Sequence, residues 1–157
     1  MRMQTLIQCI YASISTPSFL ESQIPQLLEH ARTNNARLDI SGMLLYIDEG
    51  FFQVLEGPAE SVDTLYAKIC SDRRHSRVAQ IIREPIAERK FPDWSMGFSS
   101  VSLPEVGDLT GENDFFTTAS CLQNLGSGRA KKLLNAFREG RWRADRTGRF
   151  AMRKATK

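Results

Sequence analysis

Long apolar runs are missing from this chain. No stretch approaches the roughly 18 residues that span a bilayer, and the opening MRMQTLIQCIYASIS lacks the apolar core and small-residue cleavage pattern of a secretory signal. A cytoplasmic protein with no membrane contact is expected. Cysteine is scarce: Cys9, Cys70 and Cys121 are far apart and odd in number, which argues against a disulfide framework and against a clustered thiolate site. With only His30 and His75 to add, no metal is expected. The chain has no P-loop, no G-x-S-x-G and no G-x-G-x-x-G. GSGRAKK at 126–132 resembles a phosphate-binding helix start only weakly and reads as an ordinary helix N-terminus. Internal repeats and low-complexity tracts are also lacking, so no conventional active site is visible.

What is present is an ordinary globular composition. At 157 residues, 41% hydrophobic and 25% charged, the chain is long enough for one domain with a core and an appendage. The net charge of +3 hides an asymmetry: residues 129–157 hold eleven Lys or Arg against Glu139 and Asp145, a local +9 that leaves −6 for residues 1–128.

The pattern of elements is legible. MQTLIQCIYAS predicts a strand from about Met3 to Tyr11, stopped by the Ser, Thr and Pro of 15–18. A helix follows from near Gln23, with Ser22 as N-cap, Pro25 in its first turn and Ile24, Leu27, Leu28 and Ala31 on one face, ending near Asn34 or Asn35. Two apolar runs around Asp48, Glu49 and Gly50 predict a hairpin of strands 40–47 and 50–56. Pro58 suits the first position of a second helix that carries Val62, Leu65, Tyr66 and Ile69 to about Cys70. RVAQIIREPI and DWSMGFSSV read as two further strands. The order β-α-β-β-α-β-β is that of an α+β, ferredoxin-like mixed sheet with two helices on one face. Beyond Val101 short helical pieces precede RAKKLLNAFRE, whose stripe of Ala130, Leu133, Leu134 and Phe137 predicts a C-terminal helical cap with Ser127 as N-cap. The closing basic segment is expected to fray or to be disordered.

Within those strands sit groups that a core does not ask for. Gln53 lies at the middle of GFFQVLEGP, and a buried amide with unmet partners costs on the order of 1–3 kcal/mol. Tyr11 closes the first strand, and Trp94 and Met96 lie in the last. Each alone is explained by packing, since Tyr and Trp are frequent in strands and Met fills gaps. As an ordered set, with NN and ISG inside TNNARLDISG at 33–42, FFQVLEG, DRRH and FPDWSMGF, they closely resemble the BLUF domain, a flavin-binding blue-light sensor, over residues 3–101.

The resemblance implies a non-covalently bound flavin, usually FAD, with Gln53 between Tyr11 and the N5/O4 edge of the ring. Blue light would then draw an electron from Tyr11 and a proton through Gln53, and recombination would leave the hydrogen bonds rearranged, with a small red shift and no net turnover. An amide suits that role because rotation or tautomerisation exchanges its donor for its acceptor. By the same resemblance Asn35 binds the polar side of the ring with Asn34 beside it, and Ile40 and Ile69 line it. Lys68 lies near the flavin side chain or phosphate, and Asp72, Arg74 and His75 fall in the polar loop after the second helix. Trp94 and Met96 form the output end, and which of them faces the flavin stays open. The expected organisation is a photosensor domain over 1–101, a helical extension over 102–140 that packs on the sheet, and a basic tail over 141–157. A short photoreceptor of this kind signals through a downstream protein and forms a homo-oligomer. Two other readings are weighed: a flavin-dependent redox enzyme, for which no nicotinamide site or substrate-positioning base is seen, and a nucleic-acid-binding module using the basic tail with Trp142 and Phe150.

Overall fold

A computed structural model of the chain describes residues 5–17, 19–111, 121–122 and 125–139. Its elements are β1 (Leu6–Ser15), α1 (Ile24–Leu38), β2 (Ser41–Ile47), β3 (Gly50–Pro58), α2 (Ala59–Cys70), β4 (His75–Pro85), β5 (Gly97–Val101), α3 (Leu103–Thr110) and α4 (Gly126–Arg138). The five strands form one sheet in the order β4-β1-β3-β2-β5. Neighbours run antiparallel except β2 and β5, which are parallel. This is the α+β, ferredoxin-like arrangement with one added strand.

The side-chain alternation of the strands divides the core in two. Ile7, Cys9 and Tyr11 of β1 join Leu44, Phe51 and Leu55 beneath Ile24 and Leu28 of α1 and Val62 of α2. Ile10 and Ala12 join Met43, Leu45, Phe52 and Val54 on the other side, with Val106 of α3 and Ala130, Leu133, Leu134 and Phe137 of α4. Both faces of β2 and β3 are therefore buried, which is why these strands read as unbroken apolar runs.

Several boundaries differ from the sequence expectation. β1 continues to Ser15, so Tyr11 sits in its middle, paired on both sides. Ser22 is not the N-cap of α1: a 3₁₀ turn over Glu21–Gln23 precedes the helix and Gln23 occupies the cap position. The helix also passes Asn35 and stops at Leu38, where Asp39 takes the left-handed conformation (φ 62°). In the hairpin, the left-handed residues are Asp48 and Glu49 (φ 42° and 72°), while Gly50 begins β3. A Cβ on Gly50 would lie 2.4 Å from Leu122 Cδ1, so close packing rather than turn geometry requires it. Pro58 ends β3, and α2 starts one residue later. Trp94 and Met96 precede β5 instead of lying within it. Ser127 is inside the first turn of α4, with Leu125 at the cap position. Among the described residues no helix is long and apolar enough to cross a membrane. The predicted tail over 141–157 lies outside the described residues.

Candidate functional site

Antiparallel register builds the site. In the β1/β3 ladder Tyr11 stands directly opposite Gln53, and in the β2/β3 ladder Leu44 does. Side chains facing each other on one side of a pleated pair interact directly. The Tyr11 hydroxyl donates to Gln53 Oε1, and Gln53 Nε2 donates to Met96 Sδ at 3.3 Å. Burial pushes the Tyr11 phenol well above its usual range, with the neighbouring Cys9 and Tyr66 adding to the shift. Tyr11 is thus held as a protonated donor. Tyr66 of α2 packs on it at 5.6 Å between ring centres.

Above this pair α1 and α2 enclose a cavity of ≈ 220 Å³, lined by Tyr11, Gln53, Asn34, Asn35, Lys68, Ile69, Asp72, Arg74 and His75. Leu27, Leu28, Leu44 and Leu65 supply its apolar surface. Asn35 is 2% exposed, and its Nδ2 donates to the Ser95 carbonyl at 2.9 Å. Asn34 is exposed, and its Oδ1 accepts from Arg37. Arg74 forms a two-point contact with Asp72, Nε lying 3.0 Å and 3.1 Å from its two carboxylate oxygens. That pairing lowers the Asp72 pKa and raises that of Arg74. His75 packs on Phe51 at a tilt, with 4.7 Å between ring centres, and meets Ser13 Oγ through Nδ1 at 2.8 Å. Burial drives its pKa down to about 4.

One expected lining residue lies elsewhere, and the two output residues take opposite faces of the sheet. Ile40 does not line the cavity; it is 3% exposed in the core and packs under Gly57. Trp94 projects to the opposite face of the sheet, 6.1 Å from Phe91 and 5.5 Å from Phe137 of α4. Met96, 0% exposed, is the one that meets Gln53. The side of the sheet each residue takes could not be read from DWSMGF, because the segment is not a regular strand there.

Sequence reasoning also missed the residues that hold this segment. Glu56, 0% exposed, accepts from Gln8 Nε2, Lys90 N and Phe91 N, each at 2.9 Å for its nearer oxygen. Arg89 donates to Ser41 Oγ, to the Glu56 carbonyl and to the Asp39 carbonyl. The signal was there, since Glu56 is a second polar group in the same apolar run as Gln53, three positions on and therefore on the other face.

The lining fits a flat heteroaromatic ring with a polar edge. Among the described residues Asn35 Oδ1 has no hydrogen-bond partner, and the second amide hydrogen of Gln53 has none either. A buried acceptor and donor at the floor of an apolar slot call for a ligand that carries both. The volume is below the ~300 Å³ of most small-molecule pockets, and Lys68 and Arg74 add cationic groups to the same lining.

Known proteins resemble this chain in sequence and fold. A family profile described as "Sensors of blue-light using FAD" matches residues 6–97. The photoactivated adenylate cyclase subunit beta of Euglena longa is 37% identical over 93 residues, which are 59% of this chain and 11% of that protein. The blue light- and temperature-regulated antirepressor BluF of Escherichia coli (strain K12) is 32% identical over 87 residues, 55% of this chain and 22% of that one. The chain thus spans about a tenth to a fifth of these relatives' lengths. Among solved structures, the dark state of BlrB superposes with a TM-score of 0.71 at 30% identity, covering 88% of this chain and 98% of that one. The BlsA ground state gives 0.75 at 30% identity, covering 87% and 90%. With its fold, its slot and the profile match in agreement, the chain belongs to the BLUF family of flavin-based blue-light sensors.

Proposed function

We propose that Tyr11 and Gln53 form the light switch of this sensor and that a downstream protein reads its state. The observation that carries this is the Tyr11–Gln53–Met96 chain of hydrogen bonds, buried at the floor of a slot with an unmet acceptor and donor. FAD, when bound, supplies the absorption of blue light and the oxidising power. Of the lining residues, Asn35 and Gln53 would hold its polar edge, Ile69 and the leucines its apolar faces, and Lys68 and Arg74 its anionic part. With that group bound and excited, Tyr11 would be its electron donor and would pass its hydroxyl proton to Gln53 Oε1, which accepts its hydrogen bond. The return of both leaves the Gln53 amide with donor and acceptor exchanged. Asp72 keeps the Arg74 guanidinium at the slot, and the half-buried, uncharged His75 ring sits beside Phe51.

The residues over 1–101 are assigned as the photosensor and those over 102–140 as its extension, of which α3 and α4 pack on the sheet. Output is assigned to contact with another protein, in the cytoplasm and from a homo-oligomer; α3 and α4 cover the sheet face opposite the slot. The comparisons give no support to a nucleic-acid-binding reading. The test is the visible absorption of the purified protein before and after a blue flash. A flavin spectrum that shifts slightly to the red and reverts in the dark supports the proposal. A protein that stays colourless after incubation with FAD overturns it.

A further inference from the structure

Three successive carbonyls before β5 each have a separate donor. Trp94 O accepts from Gly42 N at 3.0 Å, Ser95 O from Asn35 Nδ2 at 2.9 Å, and Met96 O from Arg32 Nε at 2.9 Å. Arg32 and Asn35 are three residues apart on α1, hence on one face of it. Backbone outside a strand has no ladder to fix it, and here α1 supplies two of the three fixing points. The consequence falls on Met96. A thioether is a weak acceptor on a side chain with three rotatable bonds, so its 3.3 Å contact with Gln53 Nε2 does not by itself hold it in place. What holds it is the backbone, and the Met96 carbonyl is fastened by Arg32. Arg32 does not line the slot. Its Nε bond to the Met96 carbonyl ties it to the switch.

We propose that Arg32 is a positioning residue of the light switch: from α1 it fixes the Met96 backbone so that the thioether accepts the Gln53 amide and selects the orientation in which Gln53 Oε1 receives the Tyr11 hydroxyl. This rests on the Tyr11–Gln53 switch proposed above. Asn35 shares the clamp but also lines the slot, so Arg32 is the member that separates positioning from cofactor contact.

The test uses the full chain loaded with FAD and compares Arg32→Met, Met96→Leu and the double variant with the parent. The expected result for Arg32→Met is a displaced Met96 methyl resonance in the dark state and a dark recovery faster by about threefold or more, with FAD affinity unchanged within about twofold. In the Met96→Leu background the same substitution is expected to leave the recovery rate unaltered, because the group it positions is gone. An unmoved methyl resonance, or an equal acceleration in both backgrounds, overturns the proposal. If Arg32→Met does not fold, Arg32→Lys, which keeps the charge and loses the fixed Nε donor, is read in the same way. Gln53→Leu measured alongside separates the two levels. Loss of the red shift there without coupling between positions 32 and 96 overturns the clamp alone, whereas a persisting red shift overturns the switch and the clamp with it.

Discussion

At Gln53 one amide is asked to satisfy a phenol on one side and a thioether on the other, and the switch proposed above rests on that arrangement. Tyr11→Phe is expected to bind FAD and to lose the normal red-shifted state, since the ring stays and the donor goes. Gln53→Leu should lose the shift completely and weaken FAD by about 1 kcal/mol, one net hydrogen bond; flash spectroscopy and a flavin-fluorescence titration measure both. His75 gives a pH prediction. Its folded pKa of about 4 lies below the ordinary 6.5 because burial penalises the charged ring. Between those values the unfolded chain binds more protons, so stability rises with pH across the window from about 4 to 6.5 and is lost as pH falls through it. The loss should be on the order of 2–3 kcal/mol, and urea unfolding at the two ends of the window should show it. His75→Gln should flatten that slope.

The elements matter here through what they fasten. Gly42 of β2 illustrates how tightly β2 and β3 approach, because a Cβ there would stand 1.8 Å from Val54 O. The segment from Lys90 to Met96 is held at one end by Glu56 and at the other by α1. Glu56→Gln would set an amide nitrogen against one of three N–H donors, leaving a buried group unpaired at a cost of about 1–3 kcal/mol. The denaturation midpoint is expected to fall, and the Lys90 and Phe91 amides to exchange at least about tenfold faster. Unchanged exchange at those two amides would show that Glu56 does not anchor the segment. Trp94 and Met96 leave this segment on opposite sides, one toward Phe137 and one toward Gln53.

For the whole molecule, the sheet needs a cover on each side. Ile10, Ala12, Leu45, Phe52 and Val54 are buried under α3 and α4, so a chain ending at Val101 would expose a contiguous apolar face larger than soluble monomers carry. Such a truncation is expected to aggregate or to bind a hydrophobic dye, as size-exclusion chromatography and dye fluorescence would show. A well-behaved monomer would mean that the extension is not a structural cover. The sequence by itself determined the element order, the two helices on one face and the amphipathic stripe of α4, because period-2 and period-3.6 patterns are local. It also marked Tyr11 and Gln53 as members of one site. The helix-start positions expected at Ser22, Pro58 and Ser127 lie one or two residues away in the structure, whereas Gly50 begins β3 at the expected boundary, with Leu122 packed against it. Only the tertiary structure decided that Met96 and not Trp94 meets Gln53, that Ile40 belongs to the core, and that Arg32 and Glu56 hold the segment between them. The reason is physical: those contacts join residues far apart in the chain across an irregular segment, where no periodicity assigns a side chain to a face.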